Sequence, residues 1–336
     1  VWIMAYTDID DPSAYFQTAL YNGNAGTQTI TNDGNSDLQP DMVWMKCRSG
    51  THATENHRLQ DSLRGVGKFA IPNGTTAADT ANTSSLTAFN SNGFSLGNVT
   101  DVNGDGAYVA WQWKETADAG FDIVTYTGSG SAKTVAHNLG VKPDVIICKS
   151  RSGAEEWRPY FSALGATYGM RLNGTNAKDD DAGYWNDVEP TSSVFTVGTN
   201  AGTNGNNVTF IAYCFAEKKG YSKFSSYIGN GNANGPFVYT GFKPSWVMIK
   251  RAIGDGGEGW SIFDTARSPF NKMVNELRAD VASAESTSNH TMEFYSNGFK
   301  IPRAGGGINT SGDTHIYMAF AEQPFVTSTG VPATAR

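Results

Sequence analysis

The stretch Pro40-Asp41-Met42-Val43-Trp44-Met45-Lys46 returns as Pro143-Asp144-Val145-Ile146-Ile147-Cys148-Lys149, 103 residues on, and as Pro244-Ser245-Trp246-Val247-Met248-Ile249-Lys250 after a further 101. Proline has no amide proton for a ladder and is tolerated at the first position of a strand, so each copy reads as a strand start. Upstream of each stands a tyrosine followed by a glycine turn: Tyr21-Asn22-Gly23-Asn24, Tyr126-Thr127-Gly128-Ser129 and Tyr227-Ile228-Gly229-Asn230. Downstream, Asp61-Ser62-Leu63-Arg64-Gly65 answers to Phe161-Ser162-Ala163-Leu164-Gly165 and Asp264-Thr265-Ala266-Arg267-Ser268. Then come Phe89-Asn90-Ser91-Asn92-Gly93-Phe94, the weaker Val194-Phe195-Thr196-Val197, and Phe294-Tyr295-Ser296-Asn297-Gly298-Phe299. An aromatic strand ending in Glu115, Glu217 or Glu322 closes each copy. Five landmarks in one order mark three copies of a unit of about 100 residues.

The copies occupy 15–116, 120–218 and 221–325, with an N-terminal arm over 1–14 and a C-terminal tail over 326–336. Ser-Asn-Gly flanked by Phe, and Asn103-Gly104-Asp105-Gly106 before Tyr108, are hairpin signals. Six or seven strands per copy suffice for a small two-sided core. The expected fold is therefore all-β: three tandem antiparallel β-sandwich-like repeats, closely docked through joints of only a few residues.

Composition agrees. The 336 residues include 38 Gly, 27 Asn, 27 Ser and 33 Thr, and only 17% are charged, which suits strands and turns and disfavours a helical bundle. Net charge is −7 with no Lys/Arg cluster, so the footprint of a nucleic-acid binder is missing. Apolar runs such as Tyr108-Val109-Ala110-Trp111 are strand-sized, far short of the roughly 20 residues that cross a bilayer, and no membrane insertion is expected. Cys47, Cys148 and Cys214 lack metal or disulfide spacing and read as packed thiols. Trp44, Trp111, Trp113, Trp246 and Trp260 fall on strands and read as core.

Chemistry-bearing candidates are few. Asp101-Val102-Asn103-Gly104-Asp105-Gly106 matches the first half of a calcium loop, making Asp101, Asn103 and Asp105 candidate Ca ligands, although position twelve is Gln112 and not a bidentate Glu. The matching turns at Asn204-Gly205-Asn206-Asn207 and Asn309-Thr310-Ser311-Gly312-Asp313 carry fewer carboxylates. Asp61 with Arg64 and Asp264 with Arg267 are spaced as ion pairs across a turn; Phe161 and Leu164 replace them in the second copy, which marks a structural contact. The five histidines fall at different landmarks, and no nucleophile or metalloprotease motif appears, so no enzyme chemistry is expected. The loops 74–87, 174–192 and 280–291 are not shared between copies. The second holds Asp179-Asp180-Asp181 followed by Tyr184 and Trp185; aromatics beside carboxylates suit sugar faces and hydroxyls, which makes these five the candidate glycan-binding residues.

The chain resembles the tandem repeat of tail-fibre and other virion structural proteins of marine bacteriophages, cyanophages included. The likeness rests on Asp11-Pro12-Ser13-Ala14-Tyr15-Phe16-Gln17-Thr18, Leu20-Tyr21-Asn22-Gly23, Pro40 to Lys46, Asp61 to Gly65, Ser91 to Gly97 and Tyr108 to Trp111. It is best in the first copy; the second departs at Phe161, Leu164 and the absent Ser-Asn-Gly. The resemblance implies a virion location, assembly into a multimeric appendage or shell with other virion proteins, and no catalytic residues. The expected function is a non-enzymatic tail-fibre or appendage protein that assembles as a homo-oligomer, by analogy a trimer, and touches a host surface glycan through its loops. A capsid decoration or shaft protein is the alternative, and a polysaccharide depolymerase with paired acids a second one.

Overall fold

A computed structural model describes residues 6–254, 257–287 and 290–332, so the outermost parts of the expected arm and tail, 1–5 and 333–336, and positions 288–289 of the third loop lie outside the described residues. Every named sheet is antiparallel, and among the described residues helix is confined to single turns, Pro12–Ala14, Thr100–Asn103, Ala182–Trp185 and Ala201–Asn204. Three large sheets share one lateral order. The first runs Phe16–Asn22, Gly106–Trp113, Met42–Gly50, Arg58–Asp61; the second Phe121–Thr127, Thr209–Phe215, Val145–Ser150, Arg158–Phe161. The third runs Ser222–Ile228, Thr314–Pro324, Phe242–Arg251, Ser261–Asp264, with the short strand Leu277–Arg278 added at its edge.

The apolar runs after each proline look unlike half-exposed strands because both of their faces are buried. Successive side chains in a strand point to opposite faces. Met42 and Trp44, Val145 and Ile147, and Trp246 and Met248 all point into one common core. Their neighbours Val43 and Met45, Ile146 and Cys148, and Val247 and Ile249 point outward into three separate smaller cores. The closing strands alternate in step: Trp111 and Trp113, Tyr213 and Phe215, and Met318 and Phe320 face the common core. The five tryptophans read as core are all buried, four of them on strands and Trp260 just before Ser261–Asp264. The expected close docking takes the form of a single core between the inner faces of the three sheets.

Each outer core is closed by a small cover. In the first and third cases it is a three-stranded sheet, Gln28–Ile30 with Gly93–Leu96 and Leu86–Asn90, and Phe237–Tyr239 with Gly298–Lys300 and Glu293–Tyr295. Over the second sheet only Lys133–Ala136 and Val194–Val197 pair. Among the described residues no counterpart to Leu86–Asn90 pairs there, and the Ser-Asn-Gly that precedes Phe94 in sequence is absent from this stretch.

The glycine after each tyrosine is set by close approach. A Cβ on Gly23, Gly128 or Gly229 would lie 1.8, 2.2 or 2.2 Å from the carbonyl oxygen of Gly104, Gly205 or Thr310. Gly128→Ala is expected to destabilise the fold by about 1–3 kcal/mol, the usual cost of forcing atoms into a packed site; a urea melt showing an unchanged midpoint would refute this contact.

The sheets are tied in a ring. Trp157 of the second sheet donates its indole proton to the carbonyl of Ile71 (2.8 Å), and Trp260 of the third donates to Arg171 (2.8 Å). His57 holds the matching place in the first sheet and bonds the carbonyl of Arg278 through Nε2 (3.1 Å). The unshared loops run alongside these bonds. Backbone amides of Asp79, Lys178 and Glu285 donate to the carbonyls of Arg151, Ala252 and Arg48, at 3.1, 2.9 and 3.0 Å. Salt bridges Asp79–Arg151 (2.9 Å) and Glu285–Arg48 (2.8 Å) reinforce two of the three crossings.

Candidate functional site

The calcium reading of Asp101, Asn103 and Asp105 is not what the turn is built for. Asp101 is ion-paired with Arg58. Asn103 is fully buried: its Oδ1 accepts the amide of Asn24 (3.1 Å), and its Nδ2 donates to the carbonyls of Gly26 (2.7 Å) and Gly97 (2.8 Å). Asn204 and Asn309 clamp their own turns with the same three kinds of bond, so the Asn recurs because it closes the turn. Asp105 is exposed at the tip. Among the described residues no three His, Cys, Asp or Glu converge as a metal set.

The loop aromatics need a second correction. Tyr184 and Trp185 are 2% and 1% exposed. They sit on the helical turn Ala182–Trp185, which takes the place of the missing hairpin strand and fills the outer core of the second sheet, with Trp185 against Tyr160 and Phe195. Their rings offer no stacking surface to a sugar. Asp181 caps that turn, accepting the amide of Gly183 (2.7 Å), and Asp180 pairs through its backbone with Tyr168. Asp179 lines a cleft, and its Oδ2 accepts the Tyr184 hydroxyl (2.9 Å).

That cleft is the site that direct reading of the loop did not reveal. It encloses about 350 Å³ and is floored by Met170 and Ala177, with Arg158, Arg171, Lys178, Asn176 and Asp179 around it. Arg158 lies on an edge strand beside Cys148, in the register that puts Arg58 beside Met45 in the first sheet. Both guanidiniums lie over an aromatic ring, Phe69 at 3.8 Å and Tyr184 at 4.6 Å. Their counter-ions differ. Arg58 has Asp101; the residue matching Asp101 in the turn Ala201–Asn204 is Gly202, and Arg158 donates only to the Tyr184 hydroxyl (3.1 Å), with Nε unpaired. The signal was present in the sequence as the replacement of Asp101 by Gly202 within a shared turn, visible only once Arg58 and Arg158 are known to face that turn.

A larger cleft of about 540 Å³ lies between the arm and the third sheet, with Tyr6, Asp8, Glu217 and Tyr239 among its walls. Glu217 is salt-bridged to Lys223 there, and burial raises its carboxyl above the usual range. Glu115, at the same strand end, accepts the amide of Ile123 (2.9 Å) and so fastens the first sheet to the second. These recurrent glutamates serve the joints.

Two ion pairs are fully enclosed. Asp61 bonds Arg64 (2.6 Å) and accepts the Tyr213 hydroxyl (2.7 Å) from the second sheet. Asp264 bonds Arg267 (2.6 Å) and accepts the Trp111 indole proton (3.0 Å) from the first. The third sheet has Met318 where the others carry Trp111 and Tyr213, a side chain with no proton to donate, and the pair that completes the cycle is the apolar Phe161 and Leu164. The substitution expected to mark a structural contact is thus matched by its partner.

His57 is buried, accepts the Trp44 indole proton at Nδ1 (2.9 Å), and so carries its own proton on Nε2. Burial, aided by nearby Lys46, pushes it down to about 3. Unfolded, it takes a proton near pH 6.5. Between those values the unfolded chain binds more protons than the folded one, so stability is present above pH 6.5 and is lost as pH falls toward 3. From pH 7.5 to 5 this group alone should remove about 2 kcal/mol, at 1.36 kcal/mol per unit. His57→Gln, which keeps both hydrogen bonds and cannot titrate, should flatten that part of the stability–pH curve; an unaltered curve would show that His57 is not its source.

Fold and site together define an all-β protein of three sheets around a shared core, with one cationic cleft at its second sheet. The chain belongs to the family described as a domain of unknown function, DUF7483, whose profile matches residues 11–324. Comparison with curated proteins gives no significant match.

Proposed function

We propose that this chain is a non-enzymatic structural protein of a phage virion, a rigid module of a tail fibre or similar appendage built from three copies of one unit at 15–116, 120–218 and 221–325. The observation that carries the reading is the use of the unshared loops. Loops free to vary on a rigid sheet usually hold binding function; here Asp79, Lys178 and Glu285 spend them as straps from one sheet to the next. A chain that commits its variable segments to internal bracing is suited to bearing load and keeping shape, which favours a shaft or decoration role over receptor contact through Asp180, Asp181, Tyr184 and Trp185. Three sheets of equal lateral order also suit coaxial contact with a three-fold assembly, and so self-association or docking on other virion proteins.

Antibodies raised against the purified chain provide the test. Immunogold labelling of purified phage particles whose genome encodes it should decorate one defined appendage or shell position. Its detection in infected-cell lysate with no signal on particles would overturn the assignment.

A further inference from the structure

We propose that the cleft over Arg158 binds an acidic sugar residue, with the sugar carboxylate on Arg158 between Arg171 and Lys178 and its hydroxyls on Asn176 and Asp179. A guanidinium buried without a carboxylate is costly, and it persists where its charge has something to meet. Arg158 is 7% exposed, its Nε has no hydrogen-bond partner, and its one acceptor is a phenol oxygen. In the first sheet the equivalent Arg58 is ion-paired with Asp101, although its own Nε and Nη1 have no hydrogen-bond partner, and the third sheet has Ser261 at the equivalent position. Only the second sheet combines the arginine with a glycine, Gly202, in place of the acid, and its Arg158 lines a cleft.

The dimensions and polarity suit the ligand. A volume of about 350 Å³ falls at the small end of ligand sites, the size of one sugar ring. Arginine's planar fork matches a carboxylate with two parallel bonds. Lys178 is steadied over the Tyr168 ring, its Nζ 3.3 Å from the centroid, which leaves a second positive charge at the rim. Asp179 and Asn176 supply the acceptors and the amide that neutral hydroxyls need. These cations gather in a chain whose net charge is −7. The inference goes beyond the structural role proposed above and does not depend on it.

The test is calorimetric titration of the full chain with glucuronate, glucose and sodium sulfate. Glucuronate should bind saturably with a dissociation constant of about 1 mM, and glucose and sulfate at least about tenfold more weakly. Arg158→Gln could fail by unfolding, so the deciding variant is Gly202→Asp, which builds into the second sheet the ion pair of the first. A Cβ there sits 3.0 Å from Arg158 Nε, close enough for the new carboxylate to occupy the guanidinium after a small shift of that flexible side chain. The variant should fold with an unchanged or raised melting temperature and lose glucuronate binding by about tenfold or more. Undiminished binding by a folded Gly202→Asp protein, sulfate binding equal to glucuronate, or no saturable glucuronate binding to the parent chain would each overturn the proposal.

Discussion

Arg64→Leu should destabilise the fold by about 3–5 kcal/mol, because it strands Asp61 as an uncompensated charge in the common core. Both side chains are wholly enclosed, and Asp61 would keep only the Tyr213 hydroxyl and the amide of residue 64 as partners. The second sheet shows what a consistent apolar solution looks like. There the pair is Phe161 and Leu164, and the third sheet answers with Met318. The triple variant Asp61→Phe, Arg64→Leu, Tyr213→Met should therefore recover most of the loss, since replacing a buried ion pair by matched apolar groups is often neutral or stabilising. Guanidinium-chloride melts of the two variants against the parent decide the matter. A single variant that costs less than about 1 kcal/mol would mean that the pair contributes little.

Residues 120–218 expressed alone should not give a folded monomer. The outer core of the second sheet would survive, but Val145, Ile147, Trp157, Tyr213 and Phe215 would turn an uninterrupted apolar face to water. Exposed patches of that kind drive association or unfolding. The full chain should accordingly melt in one transition, with far-UV and tryptophan signals coincident, because no sheet can leave without opening the core of the other two. A sharp, reversible melt from a monomeric 120–218 fragment would show that the second unit is self-sufficient and that the shared core contributes little to it.

The Gly/Asn/Ser/Thr-rich composition and the hairpin turns made the all-β class legible, and the recurrence of Pro to Lys placed an inner strand of each sheet. The common core was not legible, because an apolar run buried on both faces reads the same whether its second face meets a cover of its own unit or the sheets of two others. Trp185 misled for a related reason: in a loop rich in aspartates it has the composition of a surface site, and only the absence of the Ser-Asn-Gly hairpin betrays that something else had to fill the outer core of the second sheet. Asn103 misled through its neighbours. Asp101 and Asp105 lend it the look of a cation loop, while Asn204, without such neighbours, shows what the residue does. His57 was overlooked because its counterparts, Trp157 and Trp260, are a different residue type joined by one shared property, a ring N–H aimed at a carbonyl.

Three sheets around one core resemble the plan of a homotrimer, with one difference that has consequences for how such a protein can change. In an assembly of identical chains a substitution appears three times at once, so a residue that suits one crossing must suit all of them. Here the crossings belong to a single polypeptide and are free to differ: Asp61, Phe161 and Asp264 occupy one position, and Arg58, Arg158 and Ser261 another. Carried on one polypeptide, the three sheets are released from one another's constraints. One position can then differ from its two counterparts without three simultaneous changes, and the cleft beside Arg158 need not be repeated at the other two sheets.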